Sequence, residues 1–267
     1  MTSSRWTERQ RGLLAAMGVR LFEAPRGDDP TPVRAELVEA PLRAEELRQA
    51  QPERGPASAP ALRQAQGERS AALQAIATLD WPALRTAVSE CRACALCESR
   101  TRTVFGVGHE RARLMIVGEA PGENEDRQGE PFVGQSGKLL DNMLRAIGLA
   151  RDAPTPEHGV FICNTVKCRP PRNRNPDAAE IARCAPYLDR QIELVQPKLL
   201  LAMGRFAVQA LLGSEEAIGK LRGRVHERRG VPVIVTYHPA YLLRALADKA
   251  RAWDDLCLAA SVLELPA

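Results

Sequence analysis

Four short apolar runs mark the chain after residue 110, and each ends at a glycine or a polar residue. The runs lie at 114–117, 160–163, 199–203 and 233–236, with helical patterns near 136–148, 177–195, 205–212 and 248–264. Short uninterrupted apolar runs that alternate with helices predict a parallel sheet covered on both faces. Binding sites in such sheets form at the carboxyl ends of the strands. We therefore expect the functional residues where these runs end.

The first 70 residues have a different pattern. Residues 1–24 are interpreted as an N-terminal helical segment that is a candidate for partner binding. Residues 25–70 form a low-complexity linker rich in Pro, Ala, Gln, Glu and Arg, in which Arg48–Arg54 recurs as Arg63–Arg69. Residues 71–267 are the predicted folded domain, because helical and strand patterning resumes there.

Composition narrows the class of protein only slightly. The 267 residues carry a net charge of +4, and the excess of positive charge lies entirely after residue 90. Two basic runs stand out, at 167–174 and 220–229. No apolar run approaches the ~20 residues of a membrane span, and seven cysteines are not spaced like a secreted disulfide scaffold. We expect a soluble cytoplasmic protein without a membrane partner.

Four cysteines form a split pattern that is typical of a metal centre. Cys91 and Cys94 are two residues apart, Cys168 lies in the first basic run, and Cys184 follows. Thiolates favour iron–sulfur clusters or zinc, and both occupants remain open on the residue types alone. Ligands this far apart in sequence meet only in a folded domain, so the centre would tie a distant segment to a basic surface.

Three residues that follow the strands are candidates for recognising a base, and each also has a plain structural explanation. Phe132 lies in a loop bracketed by glycine, where it is either a stacking platform or a core residue. Asn164 ends the second strand, where its amide could bond a base edge or cap a turn. His238 follows the last strand, where it could donate to a developing oxyanion or be merely structural.

Five motifs in fixed order resemble the family 4 uracil-DNA glycosylases, the iron–sulfur branch of that superfamily. They are Cys-x2-Cys, Gly-Glu-Ala-Pro-Gly-x-x-Glu-Asp, Pro-Phe-Val-Gly, Asn-x-x-x-Cys-Arg-Pro-Pro and His-Pro-Ala-Tyr-Leu-Leu-Arg, and the match runs from about residue 84 to the C-terminus. The resemblance implies a three-layer α/β/α fold around a central four-stranded parallel sheet. It implies a [4Fe–4S] cluster held by Cys91, Cys94, Cys168 and Cys184, with Cys97 outside the ligand set.

The same resemblance implies an activity and its residues. The activity is monofunctional hydrolysis of the N-glycosidic bond of uracil in DNA, in bacterial base excision repair, after the base is flipped out of the helix. Phe132 would stack on uracil and Asn164 would select it over cytosine. His238 would stabilise charge on the O2 atom. Glu125 would orient or activate water and balance positive charge on the sugar.

Further contacts are implied around these four residues. Backbone groups of Gly118 and Glu119 would contact the base. The residues expected to contact DNA are Ser136, Lys138, Arg169, Arg172, Arg174, Leu242 and Arg244. Within this group the Leu242–Leu243 pair would wedge into the duplex, and the arginines of the basic loop would bind phosphates.

Alternatives remain open at this stage. A related family binds uracil DNA covalently through a histidine in the loop after the second strand, but residues 169–176 contain none, so turnover is expected rather than capture. A non-catalytic uracil-DNA binder and an iron–sulfur electron-transfer protein are the other hypotheses. We expect a monomer. Residues 10–22 faintly resemble the first helix of the psi subunit of the bacterial clamp loader, which makes a replisome partner one alternative for that segment.

Overall fold

The computed structural model describes residues 74–265, and within them the chain forms an α/β fold. The four expected parallel strands are confirmed as β2 (Leu114–Gly118), β3 (Val160–Asn164), β4 (Leu199–Met203) and β6 (Val231–Thr236). They lie in the order β3-β2-β4-β6. Almost every residue of these strands is buried, as expected for strands with helices on both faces.

Two short antiparallel strands extend this sheet to six strands, which the sequence did not predict. β1 (Val107–Gly108) pairs with β3 at one edge, and β5 (Val225–Arg228) pairs with β6 at the other. β1 has only two residues, and β5 alternates exposed and half-buried positions. Neither one produces the apolar run by which the central strands were recognised.

Helices cover both faces of the sheet, and the longer ones lie at the positions expected from the sequence. The longer ones are α1 (Trp81–Ser89), α4 (Gln135–Ala146), α5 (Ala178–Val195), α6 (Arg205–Leu212) and α9 (Lys249–Val262). The short ones are α2 (Leu96–Ser99), α3 (Glu123–Gln128), α7 (Ile218–Leu221) and α8 (Pro239–Leu242). Each face has its own hydrophobic core: Leu114 and Ile116 of β2 pack on one side, and Met115 and Val117 on the other.

Hydrogen bonds hold the carboxyl ends of β2 and β3 at one level. Gly118 pairs with Asn164 in the register of the two strands. Beyond that pair, the backbone N–H and the hydroxyl of Thr165 both donate to the carbonyl of Gly118, at 3.0 and 2.9 Å. The N–H of Val166 donates to the carbonyl of Glu119 at 3.3 Å. The segments that follow the two strands therefore start side by side.

The expectations for residues 1–24 and 25–70 lie outside the described residues. No helix between residues 74 and 265 combines the length and the apolar character required to cross a membrane.

Candidate active site

The side chains of Phe132, Asn164 and His238 meet at the carboxyl edge of the sheet. The rings of Phe132 and His238 are stacked, with 5.3 Å between their centroids and 29° between their planes. A Cβ atom added to Gly118 would lie 2.4 Å from Oδ1 of Asn164 and 2.6 Å from Cζ of Phe132. Three segments that are distant in sequence therefore converge on the end of β2.

Gly118 is required at this point because of the space it leaves. Both distances are shorter than any ordinary carbon contact, so a side chain here would push against Phe132 and Asn164. The absence of a side chain lets the backbone at the end of β2 approach whatever occupies the site. That a ligand contacts the backbone of Gly118 and Glu119 stays a prediction.

Asn164 has an acceptor that no group within residues 74–265 uses. The residue is 2% exposed, and its Oδ1 atom is buried without a hydrogen-bond partner. A buried polar atom without a partner costs about 1–3 kcal/mol. Other buried side-chain atoms, such as Oε1 of Gln191 and Nε1 of Trp253, share this state, and what distinguishes Asn164 is its place beside Phe132 at the end of β2. A ligand group that donates a hydrogen bond to Oδ1 would remove this cost.

His238 is held as a neutral ring with a known tautomer. Burial lowers its pKa to about 4; the carboxylate of Glu125 opposes this effect and Arg244 adds to it. The backbone N–H of Ala240 donates to Nδ1 at 3.2 Å as His238 caps α8. Because Nδ1 accepts this bond, the proton of the neutral ring is on Nε2. His238 therefore presents an N–H donor at neutral pH.

The carboxylate of Glu125 is fixed by the backbone. Its Oε2 atom accepts from the N–H of Gly122 at 3.1 Å, and its Oε1 atom accepts from Val133 and Gly134 at 3.0 and 3.2 Å. The first bond is part of the N-terminal cap of α3, and the other two tie α3 to the loop that carries Phe132. The negative charge is therefore held in one place, which favours an electrostatic role over that of a mobile base.

Glu119 lies beside the site with an altered acidity. Burial raises the pKa of its carboxyl group, and the nearby Arg205 partly offsets this effect. Its carbonyl accepts from the N–H of Val166.

A surface cleft opens next to Glu125 and collects several of the expected DNA contacts. Ser136, Leu243 and Arg244 line it together with Glu125. Lys138 is exposed two residues further along α4, on a different side of the helix from Ser136. The cleft is therefore bordered by the end of α8 and the start of α4.

The expected wedge residue Leu242 is corrected by the structure. Its side chain is 0% exposed and belongs to the core beneath α8, whereas Leu243 is 42% exposed and lines the cleft. Adjacent helical residues point in different directions, so only one of the two leucines can reach DNA. Leu243 replaces Leu242 as the apolar residue available for insertion.

The arginines of the basic loop are not equally available for phosphates. Arg172 is exposed, with φ of 54°. Arg169 donates to Asn173 at 2.8 Å, and Arg174 forms a two-pronged ion pair with Glu180, with contacts of 2.9 and 2.6 Å. Arg174 is therefore mainly a brace between the loop and α5, a role that the sequence analysis did not anticipate.

The four expected cysteine ligands line a single pocket. Cys91 and Cys94 come from the segment between α1 and α2, Cys168 follows β3, and Cys184 lies on α5. Cys97 lines the same pocket, so proximity alone does not exclude it as the family resemblance does. Cys163 is fully buried elsewhere, and Cys257 is partly exposed against the core.

Polar groups surround these sulfur atoms. Arg100 donates to Sγ of Cys168 at 3.0 Å, and the N–H of Lys167 donates to Sγ of Cys184 at 3.3 Å. Burial raises the pKa of Cys168 against the opposing effect of Arg100, and burial raises the pKa of Cys184 to about 12. Donors are thus in place for the negative charge that bound thiolates would carry.

The donor set is chemically suited to iron–sulfur binding, because thiolates are the ligands that hold such clusters. Within residues 74–265, no group of three or more His, Cys, Asp or Glu side chains is arranged as the ligands of a metal ion would be. A pocket lined by thiols with N–H donors to two of them has the composition expected around a [4Fe–4S] cluster.

Two buried charged residues that were not among the predicted site residues lie next to them. Lys167 is 2% exposed, and its ammonium donates to the carbonyl of Asn164 at 2.7 Å. Asp126, next to Glu125, is 2% exposed and accepts from the backbone N–H groups of Thr101 and Arg102. In the sequence, only the position of each beside a predicted site residue pointed to them.

Comparison with known proteins gives the same picture as the geometry. The family model of the uracil DNA glycosylase superfamily matches residues 105–257. The type-4 uracil-DNA glycosylase of Sulfurisphaera tokodaii is 44% identical over 169 residues, which are 60% of this chain and 74% of that protein. That of Archaeoglobus fulgidus is 43% identical over 164 residues, covering 58% and 79%. That of Thermotoga maritima is 43% identical over 166 residues, covering 61% and 83%.

Proposed function

The chain belongs to the uracil-DNA glycosylase superfamily, and we propose that it removes uracil from DNA as a monofunctional enzyme of the type-4 branch. The reaction is hydrolysis of the N-glycosidic bond, in base excision repair. The observation that carries the proposal is the unpartnered Oδ1 atom of Asn164, buried beside Phe132 and His238 at the end of β2.

Recognition of uracil follows from the chemistry of this amide. Uracil presents a donor at N3 and an acceptor at O4, and the Asn164 side chain offers an acceptor and a donor in return. Cytosine presents the reverse pattern on the same edge, so it would leave both groups of Asn164 unsatisfied. The ring of Phe132 provides an apolar face for stacking, which requires that the base leave the helix.

Bond breakage moves negative charge onto uracil and positive charge onto the sugar. The Nε2–H group of His238 donates to O2 of the departing base, and because the ring is neutral it stabilises this charge without giving up a proton. The fixed carboxylate of Glu125 stabilises the positive charge on the sugar, and one of its lone pairs orients the attacking water. Both groups are in place before the reaction, so little reorganisation accompanies it.

DNA is held by the surface around the cleft. The phosphates are bound by the positively charged side chains of Arg244, Lys138 and Arg172. Leu243 is suited to fill the gap left by the flipped base, because it is exposed at the rim of the cleft.

We propose that Cys91, Cys94, Cys168 and Cys184 hold a [4Fe–4S] cluster. When bound, the cluster supplies covalent cross-links between distant segments of the chain. The chain's own contribution is to place Lys167 between this centre and Asn164, so that the cysteine pocket supports the residue that selects the base. The protein is expected to act as a cytoplasmic monomer, and a replisome partner for residues 10–22 remains a separate proposal.

The activity is tested with a single uracil in a labelled oligonucleotide, followed by alkaline cleavage at abasic sites. The wild-type chain should produce the cleaved strand from uracil and none from cytosine. Glu125→Gln should slow the release by about 100-fold or more, because it removes the charge opposite the sugar. Undiminished release by this variant would reject the role given to Glu125, and absence of release by wild type would reject the activity.

Covalent capture is tested in the same reactions. After denaturing electrophoresis, the wild-type protein should leave no DNA–protein band, because the loop after β3 has no histidine. A persistent band in place of free abasic strand would show that the chain captures uracil DNA instead of turning over.

A further inference from the structure

A guanidinium group lies behind the loop that carries Phe132, outside the cleft and outside the cysteine pocket. Arg151 has a side chain that is 14% exposed, and it contacts two parts of the chain, the helix α4 and the segment 130–132 before it. Its Nε atom donates to Asp141 of α4 at 2.8 Å. Its Nη1 atom donates to the carbonyl of Pro131 at 2.9 Å, and its Nη2 atom donates to the carbonyl of Phe132 at 3.0 Å.

The backbone that Arg151 holds is in an uncommon conformation. Phe132 has φ of 55°, in the left-handed region that non-glycine residues seldom occupy. Such a conformation costs on the order of 1–3 kcal/mol and persists only where the surroundings enforce it. Two of the five N–H groups of Arg151 bind the carbonyls on either side of this torsion, which is the bond pattern that would enforce it.

A second contact encloses the same carbonyl. A Cβ atom added to Gly137, in the first turn of α4, would lie 1.7 Å from the carbonyl oxygen of Phe132. The carbonyl therefore rests directly against the helix backbone on one side and accepts from Arg151 on the other. Asp141, on the same helix, holds the guanidinium through Nε, so helix, arginine and loop form one assembly.

Charge is balanced within this assembly. Asp141 and Glu130 both pair with Arg151, at 2.8 and 3.3 Å. The guanidinium is thus satisfied inside the protein and has no need of a phosphate. This separates Arg151 from the arginines of the basic loop, which were expected to contact DNA.

We propose that Arg151 is a positioning residue for catalysis, acting through Phe132. It fixes the left-handed backbone of the loop and so sets the plane on which the flipped base stacks. The proposal rests on the proposed function, because it requires that Phe132 stack on uracil. It assigns a role in the reaction to a side chain that touches neither substrate nor reacting atoms.

The test is a double-mutant cycle of Arg151→Ala and Phe132→Ala, read as single-turnover uracil release with saturating enzyme. Each single variant should slow release by about 10- to 100-fold, since misplacement of a positioning group by about 1 Å has effects of this size. The double variant should release uracil within about 2-fold of Phe132→Ala alone, because Arg151 has nothing left to position. Arg151→Lys should fall between wild type and Arg151→Ala, because an ammonium cannot bridge both carbonyls in one plane.

Arg145→Ala is the matched control. Arg145 lies on α4 and is exposed, and it donates to the side-chain oxygen of Asn142 at 2.7 Å, away from the Phe132 loop, so release should match wild type. Thermal melting is recorded for every variant. If Arg151→Ala does not fold, the cycle is run with Arg151→Lys. We then expect Arg151→Lys to slow uracil release when Phe132 is present and to have no further effect when Phe132 is replaced by alanine.

The outcomes distinguish a failure of the role given to Arg151 from a failure of the proposed uracil-DNA glycosylase activity. Rate losses that multiply in the double variant would show that Arg151 acts by another route, and wild-type rates in Arg151→Ala would show no role at all. Either result overturns the inference while uracil release by wild type continues. Absence of release by wild type would instead overturn the proposed function.

Discussion

The chemistry of this site depends on a few side chains whose states are set by their nearest neighbours. His238 is neutral because it is buried, and its proton is on Nε2 because Nδ1 accepts from Ala240. Glu125 is immobile because three backbone N–H groups hold it. Asn164 keeps an unused acceptor in a buried position. Each of these properties leads to a measurable consequence.

The acidity of His238 predicts an unusual pH profile. Its pKa is lowered from 6.5 to about 4, so the ring stays neutral and active well below the range in which an ordinary histidine titrates. Single-turnover release should show no loss centred near pH 6.5 that depends on His238. Such a loss, absent from His238→Gln, would contradict the neutral-donor role.

The same shift predicts a loss of stability in acid. Between about pH 4 and 6.5 the unfolded chain binds a proton at His238 that the folded chain does not bind. The free energy of unfolding therefore falls as pH decreases through this range. Urea unfolding at several pH values checks this, and His238→Gln should show a shallower decline over the same interval.

Gly118 predicts an effect on binding with little effect on folding. In Gly118→Ala the new methyl group would press against the ends of the Phe132 and Asn164 side chains and not against backbone. We expect uracil release to fall by about 100-fold, because the base and the two side chains compete for the same space. Thermal melting within a few degrees of wild type should accompany this loss. Wild-type release would show that the base does not occupy this position.

Helices and loops determine which residues reach the site. α8 presents Leu243 to the cleft and Leu242 to the core, and α4 begins where the Phe132 loop ends. The backbone of α4 and this loop are in such close contact at Gly137 that a larger residue there would collide with the loop.

Gly137→Ala tests this contact. Alanine normally stabilises a helix relative to glycine, by up to about 1 kcal/mol. At Gly137 the added Cβ would instead collide with the Phe132 carbonyl, so we expect a net destabilisation of about 1–3 kcal/mol together with slower uracil release. Gly219→Ala in α7 is the control, because its nearest neighbour would be 4.0 Å away. Equal stability of the two variants would contradict the close packing of loop and helix.

Lys167 contacts both the cysteine pocket and the end of β3, because its backbone N–H donates to Cys184 and its ammonium donates to the carbonyl of Asn164. Replacing it by methionine would leave the carbonyl of Asn164 without its 2.7 Å donor, at a cost of about 1–3 kcal/mol. We expect Lys167→Met to melt at a lower temperature and to release uracil more slowly. Lys220→Met is the exposed control. A Lys167→Met enzyme with wild-type melting and activity would show that this connection is dispensable.

Across the whole molecule, the sequence predicts the elements and motifs that have a local pattern. It does not predict contacts between residues that are distant in sequence. The four buried strands and the residues at their ends follow from apolar runs and motif order. The choice of Leu243 over Leu242 required the position of α8 on the core. The contacts of Arg151 with Pro131 and of Asp126 with Thr101 join residues 20 and 25 positions apart, and no local pattern encodes them.

The cysteine pocket predicts that iron and stability are lost together. Cys184→Ser should lower the iron bound per chain and the absorbance in the visible blue, and it should lower the melting temperature, because the link between α5 and the other segments is removed. Cys257→Ser, outside the pocket, should retain all three properties. Full iron content in Cys184→Ser would contradict the ligand assignment.

The most direct test of the central claim is single-turnover uracil release by wild type and by Asn164→Ala on the same oligonucleotide, with cytosine as the competing base. The wild-type chain should release uracil and leave cytosine intact, and Asn164→Ala should lose about 100-fold or more in uracil release, since the base edge then has no partner. Equal release of uracil by the two proteins would contradict the account, because Asn164 at the end of β3 could not then be the residue that selects the base.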